Sequence, residues 1–201
     1  MSARRNLSVV LSLLILLHVY IAARLMPDMG LGLPGFGIGI VLLVLSTVLV
    51  PVGLLSSSLR RRRWSDGLAW VGLLAMGLFS SLIVITFLRD VVLLALLAAG
   101  QGNAAFTYWS AVAVPLLALG VSFIGFVNAR RLARVKRVDV PIANLPEELH
   151  GYSIAQISDI HVGPTIRRPY LNAIVNRVNA LKADAIAVTG DLVDGSVQRL
   201  S

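Results

Sequence analysis

Residues 152–195 read YSIAQISDIHVGPTIRRPYLNAIVNRVNALKADAIAVTGDLVDG. Tyr152 to Ser158, YSIAQIS, is a short apolar run of strand length, and Ala185 to Thr189, AIAVT, is a second. Between them Leu171, Ile174, Val175, Val178 and Leu181 fall on one face of a helix over about Ile166 to Leu181, with Thr165 placed to cap its start. Strand, helix, strand at this spacing predicts a βαβ unit, whose two strands are parallel neighbours joined by a right-handed crossover.

The loops after those strands carry the chemistry. Asp159 and His161 follow the first strand, and Gly190-Asp191 follows the second. Parallel strands bind ligands beyond their carboxyl ends, so both acids emerge at one edge, a strand spacing of about 4.8 Å apart at the backbone. If the loop is extended, the spacing from Asp159 to His161 returns the imidazole to the same face. Two carboxylates and an imidazole make an oxygen-and-nitrogen cation site. Without a cation the two carboxylates would repel, a conflict that a divalent metal removes. Asp-x-His or Gly-Asp alone is ordinary turn chemistry. Both together, each after an apolar strand and one βαβ unit apart, point to metal.

ISDIHVG (Ile157 to Gly163) and TGDLVDG (Thr189 to Gly195) resemble the first two motifs of the calcineurin-like metallophosphoesterase superfamily, Asp-x-His and Gly-Asp-x-x-Asp. The likeness extends over about residues 138–201, and the match resembles in particular bacterial phosphohydrolases with an N-terminal membrane region. It implies that Asp159 and His161 ligate a first metal and that Asp191 bridges two. Asp194 then supports the site from the loop, although a solvated turn aspartate accounts for it equally well, and Gly190, from its residue type alone, allows the tight turn into Asp191. The implied cofactors are two divalent ions, Mn, Fe or Zn, and the implied reaction is hydrolysis of a phosphoric ester. The family's later motifs, Gly-Asn-His-Asp/Glu, a further histidine and Gly-His-x-His, do not occur before Ser201. The second metal's own ligands and the catalytic histidine are therefore outside these residues. Either the chain is an N-terminal fragment or the protein is a degenerate relative; ending in mid-domain, with only the first βαβ unit, fits a fragment better, and such a fragment is expected to be inactive by itself.

Upstream the solvent changes. The 201 residues are 57% hydrophobic and 14% charged, with a formal charge of +8, and the apolar excess lies between Leu7 and Val127. A span needs about 20 apolar residues. Four segments meet that need: Leu7 to Ala23, Phe36 to Leu55, Leu68 to Leu88 and Thr107 to Val127. Residues 1–130 thus read as an α-helical transmembrane bundle, and 131–201 as the start of an α/β domain. Trp64, Trp70, Tyr108 and Trp109 fall near proposed ends, where amphipathic rings favour the interface. Val91 to Ala99 is too short to span. It extends the third helix or lies at the interface; a hairpin over Leu68 to Ala99 would flip the topology.

Arg4, Arg5, Arg60 to Arg63, Arg130, Arg131, Arg134, Lys136 and Arg137 fall on one side of these spans, against Arg24 and Arg89 on the other. Positive charge stays inside. The expected location is therefore the cell (inner) membrane, with both termini cytoplasmic. Cleavage after Ala23, as for a secretion signal, would leave the C-terminal domain on that side. His18 reads as a buried, hydrogen-bonded histidine, Arg89 as an arginine snorkelling from the end of the third span, and Pro51 and Pro115 as helix kinks. Gly35, Gly37 and Gly39 read as close-packing positions.

The basic clusters flank apolar runs without interleaved aromatics, so nucleic-acid binding is not expected. The absence of cysteine excludes disulfides, zinc-thiolate sites and thiol nucleophiles. The expected partners are the lipid bilayer and a phosphoester substrate, with a lipid-linked one suggested by the anchor alone. The rival reading is a catalytically inactive membrane protein with a soluble docking module.

Overall fold

A computed structural model describes residues 2–56, 65–163, 166 and 168–193. The chain divides into two compact units, Met1–Ala129 and Arg130–Ser201. The first contains α1 (Ser2–Leu25), α2 (Leu33–Ser56), α3 (Ser65–Ala98) and α4 (Ala104–Arg130). All four are long and apolar enough to cross a membrane, and a helix satisfies its own backbone groups where lipid offers no partner. Their apolar side chains face outward: Leu16, Val41 and Phe123 are 64%, 64% and 67% exposed. That is the pattern of a surface solvated by hydrocarbon. The core is small, with Ile21, Leu25, Phe79 and Val114 at its centre. The four-arginine stretch Arg60–Arg63 and Trp64 lie outside the described residues.

α3 runs unbroken for 34 residues, about 51 Å at 1.5 Å per residue. Val91 to Ala98 therefore extends the third helix, and the hairpin does not form. α2 and α4 continue through Pro51 and Pro115. The close approach of helices is not made by Gly35, Gly37 and Gly39. A Cβ on Gly37 meets nothing within 4 Å, one on Gly35 has as its nearest neighbour Leu31, in the connection just before α2, and one on Gly39 would press the side chain of Met26, in the turn after α1, at 2.9 Å. The tight crossing lies instead between α2 and α3. A Cβ on Gly53 would stand 2.8 Å from the Gly72 carbonyl carbon, and one on Gly72 would stand 2.7 Å from the Gly53 nitrogen. Two glycines distant in sequence make this contact, so spacing within one helix did not reveal it.

Arg89 also departs from expectation, because it is buried in the bundle and does not snorkel. Its Nε donates to Ser110 Oγ at 2.9 Å, one terminal nitrogen to the Arg24 carbonyl at 3.1 Å, and the other to Asp28 Oδ2 at 2.5 Å and the Thr107 carbonyl at 3.0 Å. A guanidinium whose donors meet fixed acceptors has no need of the head groups. Beside it, Asp90 Oδ2 accepts from Tyr20 at 2.6 Å and Arg24 at 2.7 Å. His18 is buried, with Nδ1 2.8 Å from the Leu14 carbonyl and Nε2 3.0 Å from Ser46 Oγ, and it stacks on Phe79 at 4.2 Å. A carbonyl only accepts, so Nδ1 carries the proton.

The second unit contains β1 (Ile154–Ser158), α5 (Arg168–Asn179) and β2 (Ala185–Thr189), after a short 3₁₀ turn at Glu147–Leu149. The strands pair in parallel, Ile154 beside Ala185 through Ser158 beside Thr189. β1 begins two residues later than its apolar run. α5 is shorter than its periodic face, with Pro169 in the first turn, where its missing N–H costs nothing. The Thr165 cap lies outside the described residues. Val138 to Ile142, whose weak alternation suits a strand, forms none; among the described residues nothing pairs with it, and a strand exists only by its ladder. Residues in register share a face, so Ile186 and Val188 lie on one side and Ile154 on the other, all about half or more exposed. Apolar side chains on both faces are what a buried parallel sheet carries.

The glycine crossing yields a direct test. Gly72→Leu must push α2 and α3 apart, at a cost of about 1–3 kcal/mol, and should lower the thermal midpoint of the detergent-solubilised protein followed by circular dichroism. Gly77→Leu, where a Cβ meets nothing, should leave the midpoint unchanged or raise it. Equal behaviour of the two variants would refute the crossing.

Candidate metal centre

The two backbone segments stay together past the ends of β1 and β2. Asp159 N donates to the Thr189 carbonyl at 3.3 Å, His161 N to the Asp191 carbonyl at 3.1 Å, and Val162 N to the Leu192 carbonyl at 2.9 Å. Val162 then bridges Val193 in parallel, in the same register as Ser158 beside Thr189. Asp159 and Asp191 therefore leave by one rim, side by side. The register alone requires this, because a parallel pair sends both outgoing chains the same way.

The backbone between Asp159 and His161 is not extended. Asp159 has φ 53° and His161 φ 51°, both left-handed, so the alternation argument for placing the imidazole beside the carboxylate does not hold. Aspartate and histidine enter this region more readily than most residues. Two such residues around Ile160 store strain of the kind that gathers at functional loops. His161 is half-buried, while Asp159 and Asp191 are exposed.

Gly190 has φ 70°, and its role is larger than a tight turn. A Cβ there would lie 2.8 Å from Asp159 Cγ. The Asp159 carboxylate lies across the glycine, in the space a side chain would fill, and its Oδ1 accepts the Asp191 amide at 3.4 Å. One acid is thus held against the backbone of the other. Among the described residues, no three His, Cys, Asp or Glu side chains gather closely enough to hold a metal ion. Asp159 and Asp191 share the rim, but the two carboxylates and the His161 imidazole do not converge on one point. Asp194 lies outside the described residues. In donor chemistry and placement the rim residues suit a divalent cation; in side-chain orientation they do not yet enclose one.

At the opposite end of the strands sits an anchor missed in the sequence. Asp184 Oδ2 accepts both the Ser153 amide and the Ser153 hydroxyl at 2.8 Å, and the Asp184 and Ala185 amides donate to the Ser153 carbonyl at 3.0 and 3.1 Å. The Ser153 amide first, and then its hydroxyl, hold the Asp184 carboxyl below its ordinary range. The available signal was positional: Ser153 and Asp184 each stand immediately before a strand.

Comparison with known proteins agrees in kind. The chain is similar to a transmembrane protein with metallophosphoesterase domain from Danio rerio, 45% identical over 76 residues, which are 38% of this chain and 17% of that protein. The protein of the same description from Bos taurus is 36% identical over 80 residues, 40% of this chain and 18% of the relative. An uncharacterized metallophosphoesterase of Campylobacter jejuni is 32% identical over 79 residues, 39% of this chain and 20% of the relative. The matched stretch thus spans about a fifth of each relative's length. No family model matches the chain, and no solved structure matches it.

Two outcomes follow from this geometry. Gly190→Ala places a methyl group in the Asp159 carboxylate and an L-residue at positive φ; amide exchange at Asp191 and Val162 should rise by about tenfold or more, for a cost of at least 1–2 kcal/mol. Unchanged protection there would contradict the cradle. The Asp184 carboxylate, depressed when folded, adds stability that is complete above the unfolded value of about 3.9 and is lost as pH falls through the lower folded value. Exchange protection at Ser153 and Ala185 should therefore drop on acidification below about pH 4, and Asp184→Asn should flatten that dependence.

Proposed function

We propose that this chain supplies the membrane anchor and the first metal-ligating rim of a metal-dependent phosphoesterase, which hydrolyses phosphoric esters at a two-metal site. The observation that carries the reading is the delivery of Asp159 and Asp191 to one rim of a parallel strand pair, with Gly190 opening the space between them. Asp159 and His161 would hold one cation, and Asp191, with two oxygens to share, would bridge to a second. Asp194 would steady the loop. The ions, Mn, Fe or Zn, supply when bound an acidified water and a clamp on the phosphoryl oxygens.

The chain's own residues do the positioning. Gly190 lets Asp159 approach the second loop, and the paired loop backbones fix the separation of the two acids. His161, held by its amide on the Asp191 carbonyl at 3.1 Å, stays tied to the loop of the bridging acid. A lipid-linked phosphoester at the cytoplasmic face is the substrate class that the four spans favour, with both termini inside by the arginine distribution. The second reading, an inactive membrane protein with a docking module, draws on one observation: the three donor side chains do not converge.

The full-length protein in detergent with Mn²⁺ separates the two readings. It should cleave a generic aryl phosphodiester, and Asp191→Asn should reduce the rate by at least about a hundredfold, more than loss of an outer-shell partner does. Bound metal, measured by elemental analysis, should fall in the same variant. Wild-type rates in Asp191→Asn would remove the rim from the mechanism.

A further inference from the structure

α4 ends on Arg130, and residues 131–141 continue as neither helix nor strand. Arg130, Arg131, Arg134, Lys136 and Arg137 are five cationic side chains within eight residues, with no acid before Asp139. The last four are exposed, and none of the ion pairs among the described residues uses them. Among and after them stand Val135, Val138 and Val140, exposed by 42%, 68% and 72%. In water such a segment is unfavourable twice over, since like charges repel and bare aliphatic groups stay wet. One surface relieves both, and it is close at hand. An extended chain advances at most about 3.5 Å per residue, so Arg137 lies no more than about 25 Å along the chain from the last turn of a helix able to span a bilayer.

We propose that residues 130–142 form a strap that binds the anionic head groups of phospholipids. Arg131, Arg134, Lys136 and Arg137 pair with the lipid charges, while Val135, Val138 and Val140 enter the boundary between head groups and acyl chains. Juxtamembrane basic segments bind anionic leaflets in this way, and interfacial binding adds apolar burial to the electrostatic attraction. A nucleic acid fits less well. No aromatic residue interleaves the run to stack on bases, and the valines have no counterpart on a duplex. The linker becomes a sensor of lipid charge, docked on an anionic bilayer and released on a zwitterionic one or at high salt. The strap is independent of whether the rim hydrolyses phosphoesters.

These 201 residues contain no cysteine, so Val138→Cys, in the full-length protein with any cysteine beyond them replaced by serine, gives a single site for a polarity-sensitive fluorophore. In vesicles of phosphatidylcholine with phosphatidylglycerol, at low salt, the probe should shift to the blue and be quenched by lipid-borne quenchers. Raising the salt should weaken this docking by on the order of tenfold. Combining Arg131→Gln, Arg134→Gln, Lys136→Gln and Arg137→Gln should abolish it, with the thermal midpoint of the helices unchanged. The salt titration of the unaltered linker carries the test even if that variant is unstable. An equal signal in pure phosphatidylcholine would assign the contact to the valines and overturn the proposal. Competition by inorganic phosphate at matched ionic strength would assign it to a free anion. The same shift produced by duplex DNA or RNA in detergent would assign it to nucleic acid. Both outcomes overturn the lipid strap, and neither bears on the Asp191→Asn assay.

Discussion

Parallel pairing makes both strands point the same way, and the candidate chemistry of this chain depends on that constraint. Once Ser158 lies beside Thr189, the residues that follow must emerge together. The register continues to Val162 beside Val193, so the two loops form a short backbone ladder with its side chains at the rim. Antiparallel pairing would have sent Asp159 and Asp191 to opposite ends. The anchor between Ser153 and Asp184 holds the other end of the same pair, so a register slip breaks bonds at both ends at once. Register is thus the structural property on which the candidate site depends.

The membrane unit solves a different problem. With lipid outside and few buried residues inside, apolar contacts do not select one arrangement of helices strongly. The polar cluster adds that selection. Arg89 reaches α1, the turn after it, and α4 from a single point on α3. Removing one partner of a buried ion pair costs roughly 3–5 kcal/mol, because it strands the other charge. Arrangements that separate Arg89 from Asp28 carry a penalty of that kind. The glycine crossing of α2 and α3 adds a second selection, since a side chain at Gly53 or Gly72 forbids it.

Much of this was legible in the residues, for reasons that differ by region. Long apolar runs and the i, i+3, i+4 face of α5 are local patterns, and local patterns survive folding. The parallel pair followed from strand, helix, strand, and β2 has the residues that its apolar run outlined. What the sequence hid was pairwise. Arg89 looked like the end of a span because its partners, Asp28 and Ser110, lie 61 and 21 residues away. Gly53 and Gly72 belong to different helices. At the rim the acids could be assigned to one edge, yet the side-chain face of His161 could not, because φ 51° breaks the alternation on which that step relied. Gly190 was read as a turn residue; its second role, leaving space for the Asp159 carboxylate, needs the neighbouring loop in view.

The two units treat ionisable groups in opposite ways, and that contrast bears on where function lies. In the bundle two arginines meet two aspartates, and Arg24, Arg89, Asp28 and Asp90 close on one another. The Thr86 hydroxyl and Asp90 Oδ1 are buried without a hydrogen bond, but Oδ1 still faces Arg89 at 3.7 Å. Low dielectric punishes spare charge, so these four described charges are spent on one another. At the rim the reverse holds. Asp159 and Asp191 are exposed, and among the described residues the first is tied by the long bond from the Asp191 amide. A group that must accept a cation needs lone pairs that the fold has not already used. Balanced charge in the bundle marks structure, and unspent acceptor capacity beside a glycine notch marks the place where chemistry can be added.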